Sequence, residues 1–210
     1  MIKLHHLNQS RSKRIIWLLE ELGLDYEVVA YQRDSVTFLA PPELKSVHPL
    51  GKSPVIEDNG QVITESGAIT EYLIEQYGAE KLAPQRGTQA YVEYLQWMHF
   101  AESSAILPLL LKVFVAKDGA EMNFLDGYAD VETQKVMSYF NQCLEGKTYL
   151  VEERLTGADI MMSFIAEMLH KFGLLAQFEN IQRYAALLAE HPAYQKANML
   201  EAEYDSTVTH

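Results

Sequence analysis

Residues 8–14 read NQSRSKR and set two hydroxyls, Ser10 and Ser12, among three cations just ahead of a helical pattern. A serine hydroxyl is a poor base at neutral pH, and no histidine is evidently paired with either serine, so an activated serine nucleophile is not indicated. A hydroxyl at the positive end of a helix is better suited to donating a hydrogen bond to an anion. Two other stretches are placed in a similar way. HPLGKSPVI (48–56) sets Lys52 and Ser53 before Pro54 at the start of a strand pattern. Proline cannot donate to a ladder, so this position is an edge or a cis turn. Glu65 and Ser66 open a helical run, where Ser66 suits an N-cap. His5 and His6 are adjacent on a strand pattern and point to opposite faces, a poor geometry for chelation. HExxH, CxxC, GxSxG and P-loop patterns are absent, and no metal site is expected. Cys143 lies in a helical run and reads as a small buried residue.

The elements that must position these groups fall into two halves. In the first, IKLHHL (2–7) is a strand pattern, and Ile15, Leu18, Leu19 and Leu22 then mark one face of a helix. Gly23 is a helix stop. YEVVAY (26–31) is the next strand, and PPEL (41–44) can begin a short helix. PVIE and QVIT flank Asp58-Asn59-Gly60, a strong hairpin signal. Ser66 to Tyr77 is helical. The order β-α-β-(α)-β-β-α predicts a mixed sheet whose first βαβ unit is parallel. Ligands gather at the carboxyl ends of parallel strands, where helix N-termini point; Ser10 and Ser66 both open helices after strands.

The second half is helical throughout. A polar stretch at 79–88, with Pro84 and Gly87, reads as a linker. Helices are expected over 89–115 with a bend at Pro108, then 128–144, 157–171, 178–190 and 192–200, with the tail DSTVTH frayed. Thr156-Gly-Ala-Asp159 resembles a capping box, with Leu155 and Ile160 placed as a staple. The helix it opens is apolar all round, as a central helix is, and is read as folding machinery.

The bulk numbers narrow the function. The 210 residues fit one large or two small domains, and 48% hydrophobic with 22% charged residues is ordinary for a globular protein. A net charge of −12 gives no positive footprint for nucleic acid. The single cysteine agrees with a reducing compartment. The N-terminus does not read as a secretory signal, and no run approaches ~18 apolar residues, so no membrane span is expected.

Taken in order, Ser10-x-x-x-Arg14 followed by LLEELGLDYE, then HPLGKSPVI, ITESGAITEYL and LTGADIMM, give the whole chain a resemblance to the cytosolic glutathione transferases. It resembles the bacterial and fungal members with a serine near the first helix. The resemblance implies an α/β thioredoxin-like N-terminal domain (1–80) that binds glutathione, a linker (81–88) and an all-α C-terminal domain (89–210) contributing the electrophile site and dimer contacts. It implies that Ser10 donates to the glutathione thiolate and that Pro54 is a cis-proline. Ser53, an apolar residue in most relatives, would offer its backbone to the cysteinyl part. Lys52 would approach the glycyl carboxylate, Glu65 the γ-glutamyl ammonium and Ser66 the γ-glutamyl carboxylate. Glu102 and Ser103 would serve the electrophile site or a partner subunit's glutathione. A cytoplasmic homodimer acting on hydrophobic electrophiles, with glutathione as co-substrate and no metal, is the expectation. A glutathione-dependent peroxidase or disulfide reductase, and a non-catalytic assembly protein of the same fold, stay open. So does the choice of Ser10 over Asn8, Ser12 or a backbone N–H as the thiol's partner.

Overall fold

The computed structural model describes residues 1–119 and 123–207. The chain divides into two units, one made of residues 1–79 with 189–210 and the other of 80–188.

In the first unit, strand β1 (Ile2–Leu7) leads into helix α1 (Ser12–Leu22), strand β2 (Tyr26–Tyr31) and a single turn α2 (Leu44–Val47). Strands β3 (Val55–Asp58) and β4 (Gln61–Thr64) precede α3 (Ser66–Tyr77). The four strands are ordered β2-β1-β3-β4. β1 is parallel to β2, and the β1–β3 and β3–β4 pairs are antiparallel. The hairpin turns on Asn59 (φ 49°) and Gly60 (φ 76°), the two positive-φ positions that a type I′ turn requires. Helix α1 buries Ile15, Ile16, Trp17, Leu18 and Leu19 and ends on left-handed Gly23.

The last helix, α10 (Pro192–Thr207), belongs to this unit and packs along α1. Tyr194 meets the buried Trp17 edge-on at 4.9 Å. Lys196 pairs with Glu20 at 2.6 Å, and Lys13 with Glu201 at 3.6 Å. The helix runs seven residues beyond the sequence expectation, because polar contacts hold its end where no apolar stripe marks it. Gln32 Nε2 donates to the Asp205 carbonyl at 2.8 Å. Asp205–Thr207 are therefore helical rather than frayed, and the last three residues lie outside the described ones.

The second unit is helical: α5 (Gln89–Phe100), α6 (Ile106–Asp118), α7 (Asn123–Cys143), α8 (Gly157–Lys171) and α9 (Glu179–Ala189), after a short α4 (Ala79–Leu82). A π turn, Ala101–Ala105, joins α5 to α6. It covers the turn before Pro108, whose ring crowds the carbonyl four residues back. The run Gln89–Asp118 has the length and a mean hydropathy (1.4) that a membrane span would have, which the count of consecutive apolar residues had excluded. It nonetheless packs on α7 and α8 within its unit, and its Glu93 pairs with Lys147 at 2.9 Å.

Helix α8 is the centre of this unit. Ile160, Met161, Met162, Ile165 and Leu169 are fully buried. Asp159 is fully buried beside them. It accepts from the Thr156 N–H (2.8 Å), the Leu150 N–H (3.1 Å) and the Tyr184 hydroxyl (2.9 Å). Burial pushes its carboxyl pKa up, against the pull of those donors, and burial beside Asp159 pushes the Tyr184 phenol well up. Removing the carboxylate strands these buried donors together with the Thr156 hydroxyl, which also donates to it at 3.0 Å. Asp159→Ala is therefore expected to lower unfolding stability by about 3–5 kcal/mol, read as a fall in urea midpoint. Asp159→Asn, which keeps one acceptor, should lose less.

Candidate functional site

The strand registers bring the sequence-predicted residues of the first unit to one place. Val55, the first residue of β3, lies opposite His5 near the end of β1, and it also lies opposite Thr64, the last residue of β4. The segments leaving β1, entering β3 and leaving β4 therefore emerge at the same end of the sheet. They carry Ser10, then Lys52, Ser53 and Pro54, then Glu65 and Ser66. The Ser53–Pro54 peptide is cis, which decides between the edge and the cis turn that the local sequence left open. Ser53 Oγ donates to the His5 carbonyl at 2.8 Å and ties this segment to β1.

Ser66 is buried and is the first residue of α3, whose leading N–H groups have no partner within the helix. Before it stands Glu65, exposed, with φ 65° and ψ 116°. A non-glycine residue there is strained by about 1–3 kcal/mol. Lys52 is exposed. One cation, one anion and one helix N-terminus thus share an end of the sheet, a set that suits a ligand carrying both carboxylate and ammonium groups. Glu102 and Ser103 belong to the other unit, in the π turn, where Ser103 Oγ donates to the His99 carbonyl at 2.9 Å.

Helix α1 begins at Ser12 with Arg11 at its N-cap, so Ser10 stands one residue ahead of the cap. Its Oγ nevertheless accepts from the Ser12 N–H at 3.1 Å and satisfies a first-turn donor. Ser10 Oγ is also 2.7 Å from Ser12 Oγ, which is 2.8 Å from His6 Nδ1. His6 Nε2 lies 3.4 Å from Asp205 Oδ1. The expectation that no histidine partners these serines is thus corrected. The strand face opposite His5 turns His6 under the first turn of α1, and the C-terminal helix supplies the carboxylate. Burial lowers the His6 pKa, and the hydrogen bond and charge of Asp205 oppose that shift. His5, on the other face, contacts the Tyr31 hydroxyl at 3.0 Å and Glu57 at 2.8 Å.

The neighbours of Ser10 are otherwise engaged. Asn8 Oδ1 accepts from the Arg33 N–H at 2.8 Å. Ser12 is fully buried behind Ser10, which retains 4% exposure. Among the described residues, no three His, Cys, Asp or Glu side chains are grouped to hold a metal ion.

Comparison with known proteins identifies the family and the fold. Residues 1–75 match the family model for the glutathione S-transferase N-terminal domain, and 124–192 that for the C-terminal domain. Glutathione S-transferase 3 of Schizosaccharomyces pombe is 34% identical, over 100% of this chain and 90% of its own. The crystal structure of a glutathione S-transferase from Actinobacillus pleuropneumoniae superposes with a TM-score of 0.86 at 39% identity, covering 96% of this chain and 93% of that one. A glutathione transferase homologue from Lodderomyces elongisporus, solved with two glutathione molecules per subunit, gives a TM-score of 0.82 at 25% identity, covering 95% and 98%.

The backbone of Glu65 provides a test that needs no ligand. Glycine adopts positive φ freely but loses more chain entropy on folding. Glu65→Gly is expected to raise stability by about 1 kcal/mol, seen as a higher denaturation midpoint. A drop in stability would mean that the side chain, not the strain, dominates at this position.

Proposed function

This chain belongs to the glutathione S-transferase family, and on that premise we propose that it activates the thiol of glutathione at Ser10 and transfers the sulfur to hydrophobic electrophiles. The observation that carries the reading is the shared sheet end, where Ser10, Pro54 and Ser66 converge through the β1–β3 and β3–β4 registers. Glutathione has two carboxylates and one ammonium. Lys52 matches the glycyl carboxylate, Glu65 the γ-glutamyl ammonium, and the Ser66 hydroxyl with the α3 N-terminus the γ-glutamyl carboxylate. The backbone of Ser53, beside Pro54, pairs with the cysteinyl part. A thioredoxin-like unit without an active-site cysteine has to take its sulfur from a ligand.

The energetics are within reach of these groups. A free thiol has a pKa near ~8.5 and is mostly protonated at neutral pH. Lowering it by ~2 units takes ~2.7 kcal/mol of preference for the thiolate. One charge-assisted hydrogen bond supplies roughly 1.5–3 kcal/mol, and the end of α1 about 0.3–1 more.

The helical unit is assigned the electrophile site, with Glu102 and Ser103 at the electrophile or a partner subunit's glutathione. Exposed Leu107, Phe114, Phe124 and Val131 support a homodimer contact. The compartment that fits a glutathione-dependent enzyme with one cysteine is the cytoplasm.

Ser10→Ala is expected to cut turnover with an aryl halide by roughly 10–100-fold and to raise the pH at which bound thiolate forms by about 1–2 units. The Michaelis constant for glutathione should change less. Ser66→Ala should do the reverse and weaken glutathione binding with little effect on that pH. An unchanged pH–rate profile in Ser10→Ala would move the thiol's partner to Ser12, Asn8 or a backbone N–H. Turnover confined to hydroperoxides or mixed disulfides would favour the peroxidase or reductase reading, and failure to bind glutathione would favour a non-catalytic protein.

A further inference from the structure

Behind Ser10 runs a buried chain of hydrogen-bonding groups that leads away from the proposed thiol position and ends on a carboxylate. Its members are Ser10 Oγ, Ser12 Oγ, His6 and Asp205, with successive separations of 2.7, 2.8 and 3.4 Å. Ser12 and His6 are fully buried. No interaction described above for the ligand or the fold requires a histidine here.

The proton inventory fixes the direction of this chain. With Nε2–H facing Asp205, neutral His6 presents a bare Nδ1 toward Ser12. Ser12 has one hydroxyl proton, and two acceptors besides Ser10 are near it, His6 Nδ1 at 2.8 Å and the Leu7 carbonyl at 3.2 Å. Given to the shorter contact, the proton goes to His6. Ser12 Oγ then accepts from the Leu7 N–H at 3.3 Å and from the Ser10 hydroxyl. Ser10 Oγ accepts from the Ser12 N–H with one lone pair and has one lone pair left. In this state Ser10 has no proton to offer a ligand and presents an acceptor.

We propose that His6, acting through Ser12, is the proton acceptor for a thiol bound at Ser10. The thiol S–H donates to Ser10 Oγ. The S–H bond breaks and leaves its electron pair on sulfur, while a new O–H bond forms on Ser10. The former Ser10 proton passes to Ser12 Oγ, and the former Ser12 proton passes to His6 Nδ1. His6 becomes an imidazolium between Ser12 and Asp205, and Ser10 now carries a proton directed at the thiolate. One relay therefore removes the thiol proton and turns Ser10 into the donor that the thiolate needs. His6 and Ser12 touch no substrate and are positioning residues.

The surroundings of His6 suit the task. Asp205 and Tyr204 face it from α10, with the Tyr204 ring centred 6.0 Å away. Ser12 faces it from α1, and its register partner on β2 is the uncharged Ala30. Glu57 contacts His5, on the other face of the strand. Burial, the largest influence, lowers the His6 pKa and keeps free His6 neutral, while the hydrogen bond and charge of Asp205 oppose that shift and, with the negative thiolate, favour the imidazolium once the proton arrives. At pH values below its lowered pKa it is already charged, and the relay has no place for the proton.

The proposal rests on the thiol lying at Ser10, and its test separates the two ideas. Saturating glutathione is added to the full-length protein at pH 7 in weak buffer. Thiolate is read from ultraviolet absorbance and released protons from an indicator dye. The wild-type protein is expected to form thiolate while releasing well under one proton per thiolate, because His6 retains it. His6→Asn, which keeps a polar group near Nδ1 but cannot titrate, and Ser12→Ala, which cuts the chain, should each release roughly one proton per thiolate formed. Ser12→Thr should restore retention. Release of one proton per thiolate by the wild-type protein overturns the relay even where glutathione binds and ionises normally. Failure of the wild-type protein to bind glutathione overturns the ligand assignment and the relay together. The wild-type stoichiometry decides the matter even if a variant does not fold.

Discussion

Strand β1 is hydrogen-bonded along both edges, parallel to β2 and antiparallel to β3. Because β3 runs opposite to β1, the start of β3 sits beside the end of β1. Because β4 returns antiparallel to β3, its end comes to the same place. That geometry gathers three segments far apart in sequence. It also sets two helix N-termini, those of α1 and α3, at the sheet end where anionic groups are best received. A one-residue slip of β1 against β3 would reverse which side chains face the core. It would also exchange the surroundings of His5 and His6.

The same strand divides its two histidines between different tasks. His5 is held by Tyr31 and Glu57 on one face. His6 on the other face is sealed from solvent by α1 and the C-terminal helix. A carboxylate nearly two hundred residues away in sequence thereby becomes the neighbour of the strand that opens the chain. The last helix is then more than a covering element, since in the proposed relay the contact with Asp205 directs the Nε2 proton of His6.

Much of this was legible in the sequence, because local rules agreed with the fold. Strands 2–7 and 26–31, the Asn-Gly turn, the Gly23 stop and helix 157–171 stand where periodicity and turn chemistry put them. The residues at the sheet end were recognisable as motifs, and the cis peptide followed from the family resemblance. What escaped was long-range and polar. His6 and Ser12 are six positions apart on two different elements, and no spacing rule joins a strand residue to the first turn of the next helix. The reach of α10 to Thr207 was missed because its end is held by Asp205 and not by an apolar stripe. The π turn at Ala101–Ala105 departs from the simple bend expected at Pro108, as the backbone adjusts upstream of the proline ring.

The most direct test of the central claim is the position of sulfur in a crystal of this protein grown with glutathione. The expected result places the glutathione sulfur within hydrogen-bonding reach of Ser10 Oγ, about 3.5 Å or less. The two ends of the tripeptide should then lie toward Lys52 and toward Glu65 with Ser66. A sulfur nearest Asn8 or a backbone N–H, or a tripeptide bound away from this end of the sheet, would contradict the assignment of Ser10.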